Sequence, residues 1–130
     1  MQNTYRPILI VEDDSDIRDA LQDILTLEGF HAESVTNGKE ALEYLQTKSP
    51  ALIFLDLMMP VMDGKMFLKE FSKSFPESNI PVILLSAALN TQVDYPIEGF
   101  LKKPLDLDSL LNQARKLTGS GRPSLESHVS

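Results

Sequence analysis

The sequence predicts an α/β domain whose parallel sheet is covered by helices on both faces, and three features of the chain carry that expectation. Five short runs of strand length, mostly apolar, recur along its 130 residues. Between them, most of the intervening segments repeat their apolar residues at helical spacing. The apolar runs also give way abruptly to polar or charged residues, as a strand does where it leaves a covered sheet. Strands and helices alternating in this way imply right-handed crossovers and helices on both sides of the sheet.

The first run, Pro7-Ile8-Leu9-Ile10-Val11, breaks at Glu12-Asp13-Asp14-Ser15-Asp16. Acidic and hydroxyl residues there are N-cap material for a helix with Ile17, Leu21, Ile24 and Leu25 on its buried stripe and Glu28-Gly29 at its end. One cap accounts for one carboxylate. Four acidic residues within five positions repel one another unless they are well solvated or share a cation, so a helix start and a metal site both remain open. His31-Ala32-Glu33-Ser34-Val35 alternates like a strand nearer an edge. Asn37-Gly38 then turns the chain into a second helix with Ala41, Leu42 and Leu45 inward. His31 has no His or Cys companion nearby and reads as a strand residue, not a ligand.

Leu52-Ile53-Phe54-Leu55 is uniformly apolar, as a central strand covered on both faces must be, and it ends in Asp56. Taken alone, Asp56 reads as the start of a turn. Met58-Met59-Pro60-Val61-Met62-Asp63-Gly64 forms the next loop, and its three methionines read as packing. Phe67, Leu68, Phe71 and Phe75 give the apolar face of a third helix. Pro81-Val82-Ile83-Leu84-Leu85 is a fourth buried strand ending in Ser86-Ala87-Ala88. From Leu89 to Glu98, Asn90, Gln92, Asp94 and Pro96 leave room for a short or irregular fourth helix at most. Gly99-Phe100-Leu101 is a brief fifth strand, followed by Lys102-Lys103-Pro104. Asp106 or Asp108 caps a last helix with Leu107, Leu110, Leu111, Ala114 and Leu117 inward. One domain therefore fills residues 1–117, and the Gly-, Ser- and Pro-bearing stretch 118–130 reads as a disordered tail.

Composition narrows the function. A net charge of -7 and a pI near 4.7 argue against the basic footprint of direct nucleic-acid binding. The absence of cysteine excludes disulfides, a thiol nucleophile and Cys-based metal centres. No run has the length of a signal peptide core or a membrane span, which points to a cytoplasmic protein that does not engage a membrane.

Parallel strands share one carboxyl edge, where ligands bind in open α/β sheets. That edge collects Glu12 and Asp13, Asp56, Ser86 and Lys103. Three carboxylates in one crevice need a compensating cation, and a hard divalent ion such as Mg²⁺ with oxygen ligands supplies it. Carboxylate nucleophile, Mg²⁺, ammonium and hydroxyl together suit phosphoryl transfer to an aspartate.

From Ile8 to about Leu117 the chain resembles the receiver domain of two-component response regulators, here of the single-domain type. The resemblance rests on Ile8-Leu9-Ile10-Val11-Glu12-Asp13-Asp14, Asp56-Leu57-Met58-Met59-Pro60-Val61-Met62-Asp63-Gly64, Ser86-Ala87 and Lys102-Lys103-Pro104. It implies a flavodoxin-like (βα)5 fold with strand order 2-1-3-4-5. It also implies that Asp56 is the phosphoacceptor and that Glu12, Asp13, Asp56 and the main-chain carbonyl of Met58 hold Mg²⁺. Ser86 then falls on the switch hydroxyl, Lys103 on the phosphate-binding lysine, Phe100 on the switch aromatic and Pro104 on a cis-proline. Arg18 follows Asp13 at the family's usual interval and supports that assignment of the acidic pair. The implied partners are a histidine kinase or histidine phosphotransfer protein as donor and a downstream protein target. Such a domain catalyses its own phosphorylation and slow dephosphorylation and is not an enzyme acting on a separate substrate.

The chain departs from the family where Ser86 and Lys103 are unusually close in sequence and where Pro96 interrupts the fourth helix. Dimerisation through that helix is therefore not expected. Met58 and Ala88 flank the phosphate site with apolar side chains that do not orient water, which implies slow loss of the phosphoryl group. A phosphatase of the haloacid-dehalogenase type needs a second Asp where Met58 stands. Nucleotide-binding glycine motifs are absent.

Overall fold

A computed structural model describes residues 6–59, 61–87, 93 and 95–119. Their elements are β1 (Ile8–Val11), α1 (Ser15–Leu27), β2 (Ala32–Val35), α2 (Gly38–Leu45), β3 (Leu52–Asp56), α3 (Gly64–Ser74), β4 (Val82–Ser86), β5 (Gly99–Lys102) and α4 (Leu107–Thr118). All strand pairings are parallel, in the order β2-β1-β3-β4-β5. This is the flavodoxin-like order.

Strand alternation divides the apolar runs between two cores. Ile8, Ile10, Leu52, Phe54, Ile83 and Leu85 face α1 and α4, where Leu21, Leu25, Leu110 and Ala114 meet them. Leu9, Val11, Ile53, Leu55, Val82 and Leu84 face α2 and α3, against Ala41, Phe67, Leu68 and Phe71. Every residue of β1, β3 and β4 is buried, whereas β2 and β5, at the sheet edges, are only partly covered. Two-sided burial is why the central runs carry no alternation.

Caps place the helix starts. Asp14 accepts from the amides of Asp16 and Ile17 at 2.9 and 3.1 Å, Asn37 from Glu40, and Asp63 from Met66. Asp106 is the N-cap of α4, but its carboxylate takes its hydrogen bond from Ser109 Oγ. Phe75 lies just past α3, with φ −131° and ψ 62°, and packs on the same core from outside the helix. The described residues contain four helices, and none is long and apolar enough to cross a membrane. Most of the stretch expected to hold a short helix between β4 and β5, residues 88–92 and 94, lies outside the described residues, as do Pro60 and the tail from 120.

Candidate functional site

The register sets the carboxyl ends of the central strands side by side. Val11 pairs with Leu55, Asp56 with Leu85, and Ser86 with Lys102. Glu12 follows β1 directly and donates its amide to Val35 O at 3.1 Å. Asp56 is the last residue of β3, and Lys103, just past β5, is held there by the hydrogen bond its backbone amide donates to Ser86 O at 2.8 Å. The Lys103–Pro104 peptide bond is cis. Glu12, Asp56 and Ser86 are the buried polar residues among those described, at 1%, 2% and 3% exposure.

The burial of the two carboxylates is compensated by Lys103. Its Nζ lies 3.1 Å from Glu12 Oε1 and 3.3 Å from Asp56 Oδ1, so one ammonium serves two buried carboxylates. Asp13 completes the acidic group from a more exposed position, and carboxylate oxygens of Glu12, Asp13 and Asp56 lie within 4.8 Å of one another. Burial pushes the Glu12 carboxyl up to about 7; the hydrogen bond and charge of Asp56 add to this, while the Asp14 amide and Lys103 oppose it. Burial works to lower the Lys103 pKa, but the charges of Asp56 and Glu12 outweigh it and the ammonium is held above its ordinary value. Three converging carboxylates, two of them buried and sharing one lysine, fit a hard cation with oxygen ligands.

Backbone groups fix the rest. The Met58 amide donates to Asp56 Oδ1 at 3.2 Å and the Asp14 amide to Glu12 Oε2 at 3.2 Å. Gly64 sits against the Asp56–Leu57 backbone so closely that an added Cβ would lie 2.8–2.9 Å from it, so only glycine lets α3 start there. Phe100 pairs with Leu84 and shares its core, which puts it on the same pleat as Ser86. Ala88 lies outside the described residues. Arg18, which the sequence offered only as a spacing marker, has a structural task. Its Nη1 donates to the carbonyls of Glu12 at 3.1 Å and Asp13 at 3.3 Å, holding the acidic turn against α1.

Comparison with known proteins agrees with this geometry. The family model of the response regulator receiver domain matches residues 8–115. The chain belongs to that family. Among curated relatives, the probable transcriptional regulator ycf27 of Pyropia yezoensis is 34% identical over 132 residues, covering 92% of this chain and 53% of the relative. Response regulator Rre1 of Synechocystis is 34% identical over 116 residues, covering 85% and 50%. The receiver thus spans about half the length of these relatives. The receiver domain of a histidine kinase from Syntrophus aciditrophicus superposes with a TM-score of 0.79 at 31% identity, covering 88% of this chain and 90% of that one. TrrA of Thermotoga maritima, a response regulator solved in complex with Mg(2+)-BeF, superposes at 0.75 with 29% identity, covering 86% and 98%. This receiver is thus a two-component signalling domain.

Proposed function

We propose that Asp56 accepts a phosphoryl group from a histidine kinase or histidine phosphotransfer protein in a Mg²⁺-dependent reaction, and that its phosphorylation changes a protein-binding surface. The observation that carries this reading is a nucleophilic carboxylate buried to 2%, 3.3 Å from an ammonium and grouped with two further carboxylates. Glu12, Asp13, Asp56 and the Met58 carbonyl are the ligands assigned to Mg²⁺, which when bound neutralises charge on the phosphoryl oxygens. Asp56 attacks the donor's phosphorus, the P–N bond to histidine breaks, and the histidine keeps the electron pair. Lys103 then moves its charge from the carboxylates to the phosphoryl group, and the Ser86 hydroxyl donates to it. Phe100 follows into the space Ser86 leaves, altering the surface around β4 and β5.

A shallow groove of about 320 Å³ beside Lys103 supports the donor's approach. It is lined chiefly by Ile17, Ala20, Leu21, Pro104, Leu105 and Leu107, an apolar surface next to the acceptor. The phosphoryl group comes from the donor's phosphohistidine, and the domain's own Asp56 side chain is the acceptor from which phosphate is later released.

The test is two-dimensional NMR with beryllofluoride, an analogue of the phosphoryl group. Amide shifts at Ser86, Phe100 and Lys103 are expected only when beryllofluoride and Mg²⁺ are both present, and not in Asp56→Asn. Equal shifts in Asp56→Asn would refute the assignment.

A further inference from the structure

The outer face of α3 and the loop before it combine two features that neither the core nor the phosphoacceptor site explains. The first is apolar exposure. Val61 and Met66 are 74% and 52% exposed, two of the five large apolar side chains so exposed among the described residues, and they fall within six positions. Val61 holds a φ of 68°, a conformation that β-branched residues rarely adopt. Next to Met66 a groove of about 440 Å³ runs along α3, with Leu68, Val93 and Tyr95 in its lining. Tyr95 is fixed there by ring packing on Phe71, 5.5 Å between centroids.

The second feature is charge. Lys65, Lys69 and Lys73 are exposed at four-residue intervals on α3, in a chain of net charge -7, and make no ion pair among the described residues. Lys65 and Lys69 line the groove. Four-residue spacing puts the three ammonium groups on one side of the helix, over about 12 Å of its length. Elsewhere Lys48, Lys103 and Arg115 face carboxylates of this same chain.

We propose that this face docks an acidic amphipathic helix of another protein. Its apolar side chains lie along Met66, Val93 and Tyr95, and its carboxylates, one per turn, meet Lys65, Lys69 and Lys73. Charge complementarity selects this occupant: a basic or neutral helix leaves the lysine row unmatched, while an acidic one matches it turn for turn. The flexible Met66 side chain in the groove wall adapts to different apolar side chains. The surface goes beyond the phosphoacceptor reading and does not rest on it. The two are joined structurally, because the Met58 amide is bonded to Asp56 Oδ1 and the Gly64 amide to Leu57 O.

The test is fluorescence anisotropy of the full chain with a labelled amphipathic peptide carrying Leu on one face and Glu beside it, and with the same peptide carrying Lys for Glu. The acidic peptide is expected to bind and the basic one not. Lys65→Glu/Lys69→Glu, confirmed folded by circular dichroism, is expected to weaken binding about tenfold or more, while Lys116→Glu on α4 leaves it unchanged. Equal affinity in the double variant, or no binding of the acidic peptide to the wild type, overturns the proposal. So does sedimentation showing that the face instead joins two copies of this chain. Acetyl phosphate labelling of the same samples separates the two ideas. Binding without labelling leaves the surface standing and removes the phosphoacceptor, and labelling without binding does the reverse.

Discussion

The middles and the ends of β1 and β3 are built on opposite terms. In the middles, Leu9, Ile10, Ile53 and Phe54 are completely buried among apolar neighbours, and each contributes stability. Two or three residues further on, Glu12 and Asp56 are just as deeply buried but ionisable, and they are tolerated because Lys103 reaches both. Stability and chemistry are thus separated along the same strands by a few ångströms. The carboxyl edge costs stability so that its carboxylates stand desolvated and close together.

The largest effect expected is in the strand middle. Phe54→Ala removes a fully buried ring and is expected to destabilise the fold by about 3–5 kcal/mol in urea melts. The fraction still folded is expected to keep its acetyl phosphate labelling, and loss of labelling in folded protein would break the separation.

At the strand ends the signature is pH dependence. Because the folded-state pKa of Glu12 is raised from 4.5 to about 7, its contribution to stability is full below pH 4.5 and is lost as pH rises through 7, on the order of 3 kcal/mol. With EDTA present, Glu12→Gln is expected to match wild type near pH 4.5 and to exceed it increasingly up to pH 8. A gap that does not change with pH would contradict the assignment of the burial cost to this carboxyl.

Removing the shared cation is expected to cost less, because Lys103 is 22% exposed and water partly replaces it. Lys103→Ala should lose about 1–3 kcal/mol above pH 7, where the Glu12 carboxyl is charged, and less at pH 5. An equal loss at the two pH values would mean that the side chain acts only by packing. The smallest effect is at the helix start beyond β3. Asp63→Ala removes the cap bond to the Met66 amide at 2.9 Å and should cost about 1 kcal/mol by thermal melting without changing labelling.

The same contrast explains what the sequence revealed. Two-sided burial wrote itself into β1, β3 and β4 as unbroken apolar runs, so the sheet and its carboxyl edge were legible. Glu12, Asp56, Ser86 and Lys103 could be gathered there because each stands at or just beyond a strand end. The division of labour within Glu12-Asp13-Asp14 was not legible from periodicity. Only the geometry shows Asp14 turned to the amides of α1 while Glu12 and Asp13 turn to the site. Arg18 was equally hidden, since its bonds go to main-chain carbonyls whose direction no side-chain pattern records. Phe75 fitted the helical stripe by spacing, yet the chain leaves α3 just before it and its ring reaches the core from the cap. Strand order came from family resemblance, because burial pattern marks central strands without saying which lie side by side.

The central claim is that the buried carboxylate at the end of β3 is a phosphoacceptor, and intact mass after incubation with acetyl phosphate tests it most directly. Wild type, with and without Mg²⁺, would be measured beside Asp56→Asn. The account predicts a gain of one phosphoryl group that requires both Mg²⁺ and Asp56. An equal gain in Asp56→Asn, or no gain in wild type with Mg²⁺ present, would contradict it.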